Sequence, residues 1–467
     1  MSSVRRWPRE AWVPLLAGIF WLWSAPGHGL VGFVFSILPG CLLLGSGVSM
    51  LLMSGDLRIS QFAALGGLLG VVFALPAFVV VGPGHALLLI AASVGSFLVA
   101  GTHTLSLERP IEEVPAAEPT LAMAAQVAVD EALLAGMLAT APLPGVADFE
   151  RGQREVEAAC ELFEARGWLE KPADYHVTPP DLEMPEIQTR RTVGFEYEHL
   201  RFESGYEPRP DESGRERWLG FKANRTAHAW VLRHSGPPRP WLVCLHGYQM
   251  GWPAIDLLVF RPEIFHQRLG LNLIVPVLPL HGRRKIGQQS GHGLFGDVMD
   301  SVHAEAQAMW DVRRMLGWVR AQGEPKVGVL GYSFGGYNTA LLASLDGELS
   351  CAIAGVPMTD FARQVYQHAP PLVLREAERR GLPEERMREI KQVISPLVIP
   401  PRIPKEARFI FGAVGDRLVT ADQVRDLWRH WDRPRIVWYQ GAHVSFRAHP
   451  QVQRFVRDAL RESGLAP

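Results

Sequence analysis

Two long stretches without a formal charge set the first limit on how this chain can fold. Residues 11–55 and 59–107 contain no Asp, Glu, Lys or Arg, whereas charged residues are frequent from residue 108 onward. A membrane-spanning helix needs about 20 apolar residues, so each stretch can hold a hairpin of two helices. Each also contains a Gly/Pro segment, SAPGHG or GPGH, where a hairpin would turn. We therefore predict about four transmembrane helices within residues 1–107.

The composition of this region favours an anchor over a transporter. Ion transport needs ionisable side chains inside the bilayer, and the only candidates here are His28, His85 and His103, all near predicted turns or ends. A cleavable signal peptide would have one apolar segment instead of four. The first of the four segments, about 14 residues long, is the weakest span and could be re-entrant or interfacial. A buried hairpin of a soluble protein is the alternative to membrane insertion.

The charges that flank the first segment predict its orientation. Arg5, Arg6 and Arg9 precede it, and an excess of positive charge favours the cytoplasmic side. Four spans return the chain to the side on which it started. We therefore expect an integral membrane protein whose remaining residues lie on the cytoplasmic face, in contact with membrane lipids.

Charge and cysteine usage exclude several functions for the rest of the chain. The net charge is -1 and the isoelectric point about 7.0, so nucleic acid is not an expected partner. The four cysteines are far apart, lack metal-ligand spacing and lie in apolar or helical contexts, which predicts buried thiols and no metal site: Cys41, Cys160, Cys244 and Cys351.

The pattern of apolar runs changes after a linker and helical segment at 108–190. From residue 191 to 467, short apolar runs such as WLVCLHG, VGVLGYS and RFIFGAVGD are separated mostly by helical patterns. Apolar strands that alternate with helices predict a mainly parallel sheet, buried on both faces. Ligand sites in such sheets lie beyond the carboxyl ends of the strands. We therefore predict an α/β catalytic domain at 191–467.

A serine stands at one of these strand ends. Ser333 follows the strand KVGVL and precedes the helical pattern GGYNTALLASL. A nucleophile on a sharp strand-to-helix turn requires small residues two positions before and after it, and Gly331 and Gly335 meet that requirement. The spacing therefore predicts that Ser333 is a catalytic nucleophile, although this motif alone also occurs in ordinary tight turns.

A nucleophilic serine needs a base, and the base needs an orienting carboxylate. Asp416 follows the strand RFIFGAV, and His443 follows RIVWYQGA, which gives the chain order Ser, Asp, His expected with this turn. His430 lies in a helical pattern and His449 precedes a proline, so His443 is the better base. Asp360, which also follows a strand, is the alternative acid.

The predicted reaction also needs donors for an oxyanion. One backbone N–H follows the nucleophile, at Phe334, and another follows an early strand, at Tyr248. His246, at the end of that strand, is expected to hold the loop by hydrogen bonds and not to act as a second base.

Taken together, the segments LHGYQ, GYSFGG, GDRLV and GAHVSF resemble the oxyanion loop, nucleophile turn, acid loop and histidine loop of the α/β-hydrolase superfamily. The resemblance covers roughly residues 191 to 467 and implies a serine hydrolase that forms an acyl-enzyme and uses no cofactor. It is specific for the fold and weak for the substrate. No narrower family is indicated.

Two further features bear on the substrate. The long connection near 359–404 has helical periodicity and resembles a helical cap in this fold; apolar residues in it could line an acyl channel (Val365, Tyr366, Leu372, Val373 and Leu374). Arg283 and Arg284 lie at a strand end, where they could bind an anionic head group or simply face solvent. We therefore expect a membrane-anchored esterase of lipase-like type acting on acyl esters. A peptidase of the same fold and an inactive membrane scaffold are the alternatives.

Overall fold

The computed structural model describes residues 9–24, 29–53, 55–192, 194–323 and 326–467. The chain divides into two compact units. The helical unit comprises residues 1–141, 413–421 and 438–449, and the sheet unit comprises residues 142–412, 422–437 and 450–467. Arg5, Arg6 and His28, which enter the predictions above, lie outside the described residues.

The helices of the described residues have these bounds: α1 Trp12–Trp23, α2 Gly29–Leu52, α3 Arg58–Val80, α4 Pro83–Leu107, α5 Leu121–Thr140, α6 Val146–Ala165, α7 Arg215–Gly220, α8 Pro253–Phe260, α9 Val298–Arg320, α10 Phe334–Leu345, α11 Phe361–His368, α12 Pro371–Arg379, α13 Glu384–Ile390, α14 Ala421–His430 and α15 Pro450–Glu462. Short 3-10 turns connect several of them. The strands are β1 Glu186–Thr192, β2 Phe195–Glu203, β3 Thr226–Leu232, β4 Trp241–Leu245, β5 Asn272–Val277, β6 Val327–Tyr332, β7 Cys351–Gly355, β8 Arg408–Ala413 and β9 Arg435–Tyr439.

The nine strands form one sheet in the order β1-β2-β3-β5-β4-β6-β7-β8-β9. Antiparallel pairs join β1 to β2, β2 to β3 and β3 to β5, and the strands from β5 to β8 are parallel to one another. Strands β4 to β7 are buried along their whole length, which is why their sequences are continuous apolar runs. This order, with helices between the parallel strands, is that of an α/β-hydrolase fold and confirms the predicted fold class. The predicted boundary near 190 falls inside β1.

Within the described residues, four helices are long and apolar enough to cross a membrane: α2, α3, α4 and α5. The prediction of about four such helices is right in number but differs in membership. Helix α1 has only 12 residues, shorter than a bilayer requires, and the fourth candidate is α5 at 121–140. Cys41 on α2 is exposed, contrary to the expectation of a buried thiol, because it lies on the outer face of an apolar helix.

Small residues bring the first helices of the helical unit close together. A Cβ at Gly18 would lie 2.3 Å from the backbone nitrogen of Leu44, so α1 and α2 touch through their main chains. The indole Nε1 of Trp21 donates to Ser93 Oγ on α4 at 2.9 Å. Further along α4, a Cβ at Gly101 would lie 1.9 Å from the carbonyl oxygen of Ala124 on α5. Close backbone approach at small residues is typical of packed membrane helices.

Candidate active site

Ser333 adopts a strained backbone at the junction of β6 and α10. Its φ and ψ are 59° and -118°, a conformation that residues with a side chain rarely adopt. Three backbone hydrogen bonds hold it: Ser333 donates to Gly355 O at 2.9 Å and accepts from Tyr337 N and Met358 N at 3.1 and 3.2 Å. The residue is half-buried. Strain held by such surrounding bonds is typical of a functional turn.

Gly331 and Gly335 must be glycine because a side chain at either position would collide with neighbouring backbone. A Cβ at Gly331 would lie 2.1 Å from Gly335 O, and a Cβ at Gly335 would lie 1.8 Å from Leu245 O at the end of β4. No side chain fits at either position without moving backbone. The turn therefore packs directly on the end of β4, which is why Gly335 has no room for a side chain.

The loop after β4 lies beside the nucleophile. A Cβ at Gly247 would be 3.7 Å from Ser333 Cβ. His246 is buried and holds this loop: Nε2 accepts from Leu278 N at 3.0 Å, and Nδ1 donates to Gly247 O at 2.9 Å. Burial lowers the pKa of His246, so the ring is neutral, in agreement with the structural role expected for it.

The backbone N–H groups of Tyr248 and Phe334 are the candidate oxyanion donors near this turn. Among the described residues, nothing accepts a hydrogen bond from the N–H of Tyr248 or of Phe334. Phe334 is the first residue of α10, where the helix dipole favours negative charge. These are the donors that the sequence predicts for an oxyanion.

Asp416 and His443 come together in the helical unit. Asp416 Oδ2 lies 2.6 Å from His443 Nδ1, and Asp416 Oδ1 accepts from the backbone N–H groups of Leu418 and Val419 at 3.0 and 2.8 Å. Both side chains are buried. With the proton on Nδ1 donated to the carboxylate, the other ring nitrogen is the basic one.

Two opposing effects set the pKa of His443. Burial lowers it, but the charge of Asp416, the hydrogen bond to Asp416 and the charge of Asp130 together raise it, and the net result is a pKa above the ordinary value for histidine. The pair is therefore suited to accept a proton and to stabilise the resulting imidazolium.

The competing residues are engaged elsewhere. Asp360 caps helix α11 by accepting from Arg363 N at 3.0 Å, and its Oδ2 accepts from Arg388 Nε at 2.8 Å. His430 Nε2 contacts Ile399 O at 3.3 Å. The His449 ring packs at a tilt against Tyr439, and its Nε2 lies 3.1 Å from Gln126 Oε1. Of the two acids proposed from sequence, Asp416 and Asp360, it is Asp416 that contacts His443 in the described part of the chain.

The substrate-binding prediction for Arg284 is wrong. This side chain is completely buried, pairs with the carboxylate of Asp311 at 2.8 Å and donates to Val277 O and Asn224 O. It fastens the loop after β5 to helix α9 and is not accessible to a ligand. Arg283 is exposed. No group of three or more His, Cys, Asp or Glu side chains in the described residues is arranged to hold a metal ion.

The sequence reasoning missed Asp130 and Glu131 on α5, both completely buried. Asp130 Oδ2 accepts from the backbone N–H of His443 and of Arg417, at 2.7 and 3.1 Å. A visible signal existed, since two adjacent acids in a 20-residue apolar helix are unusual and buried carboxylates need partners.

Comparison with known proteins identifies relatives over most of the chain. Two proteins of Mycobacterium tuberculosis, "Uncharacterized protein MT2702" of strain CDC 1551 / Oshkosh and "Uncharacterized protein Rv2627c" of strain ATCC 25618 / H37Rv, are each 41% identical over 384 residues. The match covers 80% of this chain and 92% of either relative. The chain belongs to their family. Because these mycobacterial relatives are themselves called uncharacterised, family membership assigns no activity. No family model matches.

Solved structures with a similar fold are much more distant. An acetyl xylan esterase from Paenibacillus sp. R4 is 17% identical, with a TM-score of 0.42, over 62% of this chain and 99% of that one. An acylaminoacyl peptidase from Pyrococcus horikoshii is 12% identical, with a TM-score of 0.36, over 60% of this chain and 41% of that one. The fold assignment therefore rests on the strand order and the turn at Ser333.

Proposed function

We propose that this chain is a membrane-anchored serine hydrolase that cleaves acyl esters through an acyl-enzyme on Ser333. The observation that carries the proposal is the strained backbone of Ser333 between two glycines that admit no side chain. Maintaining such strain costs stability, and it is found where a side chain must be presented for chemistry. The hydrogen-bonded pair of His443 and Asp416 supplies the matching base and orienting acid.

The proposed reaction proceeds in two stages and needs no cofactor. Ser333 Oγ attacks the ester carbonyl as its proton passes to His443, and the oxyanion accepts from the N–H groups of Tyr248 and Phe334. His443 then gives its proton to the departing alkoxide, which leaves the acyl group on Ser333. A water molecule, deprotonated by His443, hydrolyses this ester, and the proton returns to Ser333.

Labelling with a fluorophosphonate tests the nucleophile. We expect the full-length protein in detergent micelles to be labelled and Ser333→Ala to be unlabelled. The matched control is Ser350→Ala, because Ser350 is also half-buried and its backbone bond to Val327 O survives the change. Labelling that persists in Ser333→Ala would exclude this nucleophile. A folded wild-type protein that does not react would favour the inactive scaffold.

The acyl group is proposed to be of lipid character. The long apolar helices α2, α3 and α4 would hold the enzyme at a bilayer, where lipids are concentrated. The helical cap also presents apolar surface: Leu372 on α12 is 74% exposed, and Val365, Val373 and Leu374 are half-buried. Tyr366, by contrast, donates its hydroxyl to Leu382 O and packs within the cap. The proposal concerns the acyl chain and not an anionic head group. Of the two arginines predicted to bind such a group, only Arg283 is exposed.

Substrate panels distinguish this proposal from its alternatives. Purified enzyme would be compared on short soluble esters, long-chain esters in vesicles and peptides. We expect long-chain esters to be hydrolysed with the highest kcat/KM. Leu372→Ser should lower that value for long chains and leave it unchanged for short esters. Activity confined to short esters or to peptides would contradict the lipid assignment.

A further inference from the structure

We infer that Asp130 is a positioning residue for catalysis, which fixes the acid loop (414–419) and the histidine loop (440–449) to each other through their backbones. The inference rests on the proposed function and deepens it. It gives helix α5 a role that the sequence did not suggest, because the sequence pattern indicates only a linker and a helical segment at residues 108–190.

The geometry consists of one carboxylate oxygen shared by two loops. Asp130 Oδ2 accepts from His443 N at 2.7 Å and from Arg417 N at 3.1 Å. One donor is the backbone of His443 itself. The other is the backbone of Arg417, which directly follows Asp416 in the chain. Both donors belong to buried residues, and a buried N–H group left without an acceptor loses its hydrogen bonds to water without replacement. Asp130 therefore restrains the backbone on both sides of the Asp416–His443 contact.

A second set of contacts supports the same loop from the side chain of Arg417. Its Nε donates to Glu131 Oε1 at 2.8 Å, and its Nη1 donates to Glu108 Oε1, just after α4, at 3.1 Å. Thr104 Oγ1 on α4 also donates to Glu131 Oε1. Burial lowers the pKa of Arg417, but the two carboxylates outweigh this effect and raise it, so the guanidinium stays charged.

Apolar side chains also pack helix α5 against the acid loop and the histidine loop. Met123 and Val127 of α5 form one buried cluster with Val414 and Ala442, which lie on the two loops. The fit leaves no space at Gly415, where a Cβ would lie 2.3 Å from Met123 Cε. Across the loops, Gly415 N donates to Gly441 O at 3.0 Å. The acid and histidine loops are thus held by α5 along two of its turns.

Position matters because catalysis by the pair depends on small distances. A displacement of about 1 Å in a catalytic group can lower the rate about 100-fold. Burial, and then the charge of Asp416, raise the pKa of Asp130 to about 7. Above that pH its carboxylate also acts through charge, because it joins Asp416 in raising the pKa of His443. Other charged groups on the elements packed around this site include Glu108, Glu131 and Arg417, and Arg447 lies on the histidine loop. The buried Tyr439 also faces the carboxylates of Asp130 and Asp416, and burial together with their charges raises its pKa.

Two substitutions separate the contribution of the hydrogen bonds from that of the charge. Asp130→Ala removes the shared acceptor, and we expect kcat to fall about 100-fold with little change in KM. Asp130→Asn keeps an acceptor oxygen but removes the charge. It should recover much of kcat, and the acidic limb of the profile of kcat/KM against pH should move to lower pH, because a less stabilised imidazolium has a lower pKa.

The matched control is Thr120→Ala. Thr120 caps the same helix by accepting from Met123 N at 3.1 Å, so its loss weakens α5 without removing a bond to either loop. We expect this variant to lose thermal stability and to keep the kcat of the wild type. A fall in kcat equal to that of Asp130→Ala would mean that Asp130 only stabilises the helix, and the inference would be wrong.

Two further outcomes keep the test decisive. If Asp130→Ala does not fold, the acidic limb of Asp130→Asn decides, and an unchanged limb overturns the inference. Labelling of the wild type by the fluorophosphonate separates the two proposals. If the wild type is labelled but the Asp130 variants have wild-type kinetics, only the positioning role is refuted. If the folded wild type is not labelled, the proposed function itself is refuted.

Discussion

The backbone N–H of His443 donates to the carboxylate of Asp130, which precedes it by 313 positions in the chain. The imidazole of the same residue contacts Asp416. One histidine is therefore held at its main chain by an N-terminal helix and at its ring by a strand-end loop. Helix α5 therefore contacts the Asp416–His443 pair directly through Asp130.

Asp416 is expected to be the orienting acid. Asp416→Asn should lower kcat by about 10⁴-fold, as the loss of such a carboxylate from a catalytic triad does, because the amide favours the wrong tautomer of the histidine. Asp360→Asn is the matched control, since Asp360 also follows a strand but pairs with Arg388 and caps α11. Steady-state kinetics of both variants decide the question. The assignment fails if Asp360→Asn is the damaging change and Asp416→Asn is mild.

Gly335→Ala should destabilise the sheet unit because the new methyl group would lie 1.8 Å from Leu245 O. Overpacking of this kind costs about 1–3 kcal/mol, and more where only backbone can move. Gly347→Ala is the control, because the nearest atom to its Cβ would be 3.6 Å away. Thermal unfolding in detergent measures both. Equal melting temperatures for the two variants would show that the turn at Ser333 is looser than described.

The buried ion pair between Arg284 and Asp311 gives a third prediction. Arg284→Met leaves an uncompensated carboxylate in the interior, and we expect a loss of about 3–5 kcal/mol in the free energy of unfolding. Arg283→Met should change it by less than about 0.5 kcal/mol, since that side chain is exposed. Adding Asp311→Leu to Arg284→Met should restore much of the loss. A stable Arg284→Met variant with altered substrate preference would instead reinstate Arg284 as a binding residue.

These residues also show what a sequence of this type reveals. Asp416 and His443 were predictable because each follows an apolar strand, and the ends of parallel strands meet at one edge of a sheet. The partner of Arg284 lies 27 positions further on, inside a helix, and no local pattern connects the two. Asp130 was hidden for the same reason, since helical periodicity shows which face of α5 is apolar but not which loop packs on it.

The length of α1 raises the question of how many times the chain crosses the bilayer, and the charges give a prediction. The charged positions of residues 1–107 precede α1, lie between α2 and α3 (Asp56) or begin α3 (Arg58), whereas the connection at residues 81–82 is uncharged. If α1 crosses, Arg9 and Arg58 fall on one side, as the excess of positive charge on the cytoplasmic face requires. We therefore propose that α1 crosses together with α2, α3 and α4, with the bilayer locally thinned around its 12 residues, and that the catalytic part is cytoplasmic. We expect α5 not to cross, because its Asp130 and Glu131 are bound to Arg417.

Reporter fusions at four positions test this arrangement. A fusion at residue 82 should report the side opposite the cytoplasm, and fusions at residues 56, 110 and 141 should all report the cytoplasm. The fusion at residue 141 is the control for α5, because a crossing by that helix would place it on the opposite side from residue 110. If residue 110 reports the outer side while residue 56 reports the inner side, α3 and α4 do not form the predicted pair of crossings. If residues 56 and 110 both report the outer side, α1 does not cross and the catalytic part lies outside the cytoplasm.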